Sequence, residues 1–105
     1  MKRKASRMKE GIKKIANHYG LAKQQRQLAE ECGELIQATS KYMRFLEASY
    51  ASTVDWTYLQ AVIEEIADVE VMLDEIKYLL HINSSAIDAI KQKKVSRQLE
   101  RIEKE

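Results

Sequence analysis

Residues 56–80 read WTYLQAVIEEIADVEVMLDEIKYLL, and large apolar side chains recur through them at three- and four-residue steps: Leu59, Val62, Ile66, Val69, Met72, Leu73, Ile76 and Leu80. That is the period of a helix face, and no turn residue interrupts it. With Ile63 and Leu79 added, apolar groups cover more of the circumference than one small bundle can bury. This predicts a central helix and an assembly of more than one copy, a homodimer or homotetramer.

Working outward, the stretch Ala48-Ser-Tyr-Ala-Ser-Thr53 breaks the helical period and reads as a loop, with Thr53 or Asp55 able to cap the central helix. Before it, Leu21 to Leu46 carries a stripe of Leu28, Cys32, Leu35, Ile36, Thr39 and Met43. A first helix is predicted from Ser6 to Tyr19 on the recurrence of Met8, Ile12, Ile15, Ala16 and Tyr19. Gly20 closes it, being the residue that accepts a left-handed conformation without strain. After the central helix, Asn83-Ser84-Ser85 supplies another cap, with Asp88 completing a weak capping box from Ser85. Ile87, Ile90, Val95, Leu99 and Ile102 mark a last helix. The expected fold is all-α: a four-helix bundle in one domain spanning residues 1–105, with residues 1–7 as a flexible basic arm.

Composition narrows the classes. The 105 residues include no Pro and three Gly, too few turn formers for a sandwich or barrel. No apolar run is long enough for a membrane span, and the basic N-terminus leads into Lys9 and Glu10, unlike a secretory signal. A single cysteine, Cys32, fits a reducing cytoplasm. The net charge of +2 hides a segregation: residues 1–14 carry +6, residues 15–90 carry −7 and residues 91–105 carry +3. Phosphate backbones require a continuous positive surface, so the acidic middle argues against nucleic-acid binding.

Those acidic residues have a pattern. Glu30-Glu31-Cys32-Gly33-Glu34 and Glu64-Glu65-Ile66-Ala67-Asp68 each set carboxylates three apart on one helix face, Glu31 with Glu34 and Glu65 with Asp68. Each pair borders the apolar stripe, where an unpaired charge is costly. If the two helices pack antiparallel, the four groups converge and repel unless protonated or bridged by a cation. Oxygen ligands alone select a hard divalent ion, Mg²⁺ or Mn²⁺. The bland alternative is a solvated acidic face.

The order Glu-Glu-x-x-Glu at 30–34 followed by Glu-x-x-Asp at 65–68 resembles the signature of the MazG-like, all-α nucleoside triphosphate pyrophosphohydrolases. His18-Tyr19-Gly20, Gln24-x-x-Gln27-Leu28 and the basic Lys94-x-x-Arg97-x-x-x-Arg101-Ile102 extend the similarity over Ile15 to Ile102. The interval between Glu34 and Asp68 is longer than is usual there.

The resemblance implies hydrolysis of a nucleoside triphosphate between its α and β phosphates, releasing the monophosphate and pyrophosphate. On that reading Mg²⁺ on Glu31, Glu34, Glu65 and Asp68 neutralises the phosphates and acidifies a water. Glu30 takes the water's proton or helps hold a second metal. Lys94, Arg97 and Arg101 contact phosphate oxygens or are an ordinary solvated surface. Gln24 and Gln27 hydrogen-bond a base edge or ribose, or lie on the surface; Trp56 stacks on a base, or anchors the bundle or a subunit interface.

Other chemistries lose their residues. No Gly-rich phosphate loop is present, His18 and His81 lack the Glu-x-x-His spacing of a di-iron bundle, and Cys32 has no nearby His. The rival from another class is a non-enzymatic helical interaction module, its acidic clusters solvated or facing a partner.

Overall fold

The computed structural model describes residues 2–48 and 56–105, in four helices: α1 Lys2–Tyr19, α2 Leu21–Ala48, α3 Trp56–Leu79 and α4 Ser84–Lys104. The chain is all-α, and no strand occurs among the described residues. No helix is long and apolar enough to cross a membrane. The expected loop at 48–53 and its caps at Thr53 or Asp55 lie outside the described residues, apart from Ala48, which is the last residue of α2.

α2 and α3 form the main packed pair and run antiparallel. Near one end the rings of Phe45 and Tyr58 stack with centroids 5.1 Å apart. Further along, Glu31 of α2 meets Glu65 and Asp68 of α3. α1 lies across this pair, chiefly on α3. Asn17 Nδ2 donates to Tyr78 Oη at 2.8 Å, fastening the end of α1 to the end of α3, and the Lys13 ammonium lies 5.8 Å from the centre of the Tyr78 ring.

The breaks between helices follow from backbone chemistry. Gly20 has φ +83°, and its N–H closes the last turn of α1 on Ala16 O at 2.9 Å while its own carbonyl accepts from Gln24 N at the start of α2. One residue thus ends one helix and starts the next, as its freedom at positive φ predicts. α3 ends in a Schellman motif, with Ile82 N donating to Lys77 O at 2.9 Å and His81 N to Tyr78 O at 3.2 Å. His81 occupies the left-handed position at φ 56°, where glycine is the usual tenant. α4 is capped by Asn83, whose Oδ1 accepts from Ser85 N at 3.0 Å. The capping box expected from Ser85 to Asp88 is therefore displaced: Asn83 reaches its partner first, and Ser85 lies inside the helix.

α1 begins at Lys2, four residues before its expected start, so the basic segment is helical. α4 was expected as a member of the bundle, yet no residue of it is buried and, among the described residues, it packs closely on none of the other three helices. Within one chain the core is made by α1, α2 and α3, centred on Ala16, Ala38 and Met72. Two of the most buried side chains are polar, Gln24 and Glu75. Polar groups so deep are uncommon unless paired, and they direct attention to the space beside them.

Candidate metal centre

Antiparallel packing brings the two acidic motifs face to face. One carboxylate oxygen from each of Glu31, Glu65 and Asp68 lies within 4.8 Å of the other two, a spacing that one oxygen-coordinated divalent ion can span. Glu34, one turn beyond Glu31, is exposed and lies close enough to Glu65 for its charge to raise the Glu65 carboxyl. Of the four residues expected as ligands, Glu31, Glu65 and Asp68 form the close group and Glu34 lies outside it.

The local electrostatics are those of an uncompensated cluster. Glu65 is half-buried, and its carboxyl is held above the ordinary value, first by loss of water and then by the negative charges of Glu34, Asp68 and Glu31. Glu65 Oε2 and Glu31 Oε2 are both cut off from solvent with no hydrogen-bond partner. Among the described residues no Lys or Arg forms an ion pair with any of the four; the ion pair found is Lys77 with Asp74, further along α3. Gln27, one turn before Glu31, donates from Nε2 to Glu31 Oε1 at 2.8 Å and so restrains the Glu31 carboxylate, whose Oε2 is buried without a partner. Unpartnered oxygens on two helices, beside a third carboxylate, make a group that could hold a metal ion.

Beside the cluster, a cavity of about 620 Å³ opens between α1, α2 and α3. Glu31 belongs to both, and Glu30, Gln24 and Gln27 line the cavity with it. Glu30 is exposed and stands outside the close trio. Lys23 and Arg26 add positive charge to the lining. Both glutamines singled out in the sequence therefore sit beside the site, Gln24 only 4% exposed.

The basic residues of the last helix are not brought there. Lys94, Arg97 and Arg101 are exposed on α4, and Arg101 Nη1 donates to Gln98 Oε1 of its own helix at 3.3 Å. Trp56 is 70% exposed. Glu75, by contrast, escaped the sequence reading. It is 2% exposed, lines the cavity, and its Oε2 has no hydrogen-bond partner. A signal was present: Glu65, Asp68, Met72 and Glu75 follow steps of three, four and three, so Glu75 continues the face that carries the cluster.

Comparison with protein-family models, curated proteins and solved structures finds no match to this chain.

Proposed function

We propose that the chain hydrolyses a nucleoside triphosphate at the α–β phosphoanhydride, giving nucleoside monophosphate and pyrophosphate. The observation that carries this reading is the meeting of Glu31, Glu65 and Asp68 across α2 and α3, with two buried oxygens left unpartnered. A polyphosphate is itself highly negative and can approach such a cluster only with cations between them. Glu31, Glu65 and Asp68 would hold Mg²⁺ or Mn²⁺, with Glu34 as a further ligand. When bound, the ion neutralises phosphate oxygens and makes water a better nucleophile at neutral pH.

The chain's own groups do the rest. Gln27 holds Glu31 in its rotamer. Glu30, lining the cavity, accepts the proton released as water attacks phosphorus. Because α4 does not pack against α2, Lys94, Arg97 and Arg101 would serve phosphate oxygens from a second copy. Exposed apolar residues on the paired helices, including Ile36 at 65% and Ile66 at 42%, support a homodimer or homotetramer. The same exposed residues favour the second reading, a helical interaction module without catalysis.

Product analysis separates the two. Purified protein is incubated with ribo- and deoxyribonucleoside triphosphates, with Mg²⁺ or chelator. Metal-dependent monophosphate plus pyrophosphate, lost in a folded Asp68→Asn variant, is the expected result. Diphosphate plus phosphate would move the reaction to another bond. No turnover and no metal-induced stabilisation would leave the interaction module.

A further inference from the structure

The buried acid Glu75 has no task in the reaction just described. No hydrogen-bond partner of its carboxyl occurs among the described residues, and its Oε2 is shut off from water. Burying such a group unpaired is unfavourable, so its pairing group is to be sought outside the chain. The cavity says where. Glu75 lines it together with buried Gln24, the apolar side chains of Ile15 and Met72, and the Tyr19 ring; Glu31 joins it to the carboxylate cluster. Its volume of about 620 Å³ is that of a small-molecule site. Glu75 follows Asp68 by seven residues, two turns or about 10 Å along α3. That separation leaves room for a sugar between phosphates at the cluster and a flat ring at Glu75.

We propose that this cavity is a nucleobase subsite in which Glu75, its carboxyl turning so that both oxygens face the ligand, selects guanine by accepting its ring N–H and its amino N–H. The assignment rests on the nucleotide reading above. Its chemical basis is the donor pattern of the bases. A carboxylate only accepts hydrogen bonds. Guanine sets two N–H donors side by side on one edge, matching two carboxylate oxygens. Adenine and cytosine put a ring acceptor next to their amino group, and uracil flanks its single N–H with carbonyls, so each meets one carboxylate oxygen with a lone pair. The Gln24 amide, a donor and an acceptor, is free to serve the remaining ring positions. Burial holds the Glu75 carboxyl above its ordinary value, and two donors from a ligand oppose that shift.

The test compares wild type with Glu75→Met and Glu75→Gln at mildly alkaline pH, using GTP, ATP, CTP and UTP with Mg²⁺ for hydrolysis and the four monophosphates for binding. Wild type is expected to favour the guanine nucleotide by about ten-fold or more in both assays. Both variants are expected to collapse that preference, and Glu75→Met to raise the Tm of the ligand-free protein, the opposite of what loss of a structural pairing does. A preference for another base, or a guanine preference unchanged in the folded variants, would overturn the assignment. Hydrolysis indifferent to Glu75 would remove the subsite and keep the reaction. GMP binding that depends on Glu75, with no nucleotide hydrolysed, would keep the subsite and remove the reaction.

Discussion

Gln27 and Glu31 lie one turn apart on α2, and the Gln27 amide donates to Glu31 Oε1 at 2.8 Å while Glu31 Oε2 stays buried and unpaired. The hydrogen bond restrains a carboxylate that lies beside Glu65 and Asp68 of α3. An isolated buried oxygen of this kind is a cost; Glu31 and Glu65 each leave one, and with exposed Asp68 they form a group of carboxylates that could hold a cation.

If Gln27 orients a ligand, its removal weakens metal binding without unfolding the chain. Glu31 in Gln27→Ala is free to rotate, and the Mg²⁺ concentration giving a half-maximal thermal shift rises about 10–100-fold, the usual effect of losing a group behind a metal ligand. The metal-free protein stays folded, its Tm falling by no more than about 4–8 °C, because one partly solvated hydrogen bond contributes only about 1 kcal/mol. An unchanged Mg²⁺ requirement would make the bond incidental.

Glu75 gives the ligand-free protein a definite pH dependence. Its folded pKa lies above the ordinary 4.5 because burial penalises the charge. The folded state therefore holds this proton at pH values where the unfolded chain has released it. Glu75's contribution is fully present below about 4.5 and is lost as pH rises through the folded value. Urea midpoints of wild type and Glu75→Gln should diverge from about pH 4.5 towards neutrality, the variant gaining relative to wild type. A constant difference across that range would show that the carboxyl is not strained by burial.

His81 offers a gain in stability away from the site. It holds the left-handed position of the Schellman motif that ends α3, at φ 56°. A side chain there meets the neighbouring carbonyl, a strain that glycine avoids. Against this, glycine loses more freedom on folding. His81→Gly is expected to stabilise by about 0.5–1 kcal/mol net, or about 3–6 °C in Tm, whereas His81→Ala keeps the strain and gains nothing. Equal midpoints for the two variants would count against this account of the turn.

Much of this was legible in the sequence because it lies in helical spacing. Glu31, Glu34, Glu65 and Asp68 are three apart in pairs at the border of apolar stripes, so antiparallel packing alone brings them together. Gly20 was legible for a similar reason, since left-handed backbone geometry has few suitable residues. Glu75 was hidden: one acid among many charged residues looks solvated, and only the crossing of α1 over α2 and α3 shows that it is almost fully buried. α4 misled in the opposite direction. Its stripe from Ile87 to Ile102 identifies a helix with an apolar side, but periodicity does not say which surface that side meets, and here none of it is buried within the chain.

The central claim is that carboxylates on two different helices hold one cation, and Mn²⁺ titration followed by water-proton relaxation tests it most directly. The account predicts saturable Mn²⁺ binding by wild type. Glu31→Gln on α2 and Asp68→Asn on α3 should each weaken it by at least about ten-fold, while the distant Glu10→Gln leaves it unchanged. Absence of Mn²⁺ binding, or binding indifferent to Glu31 and Asp68, would contradict it.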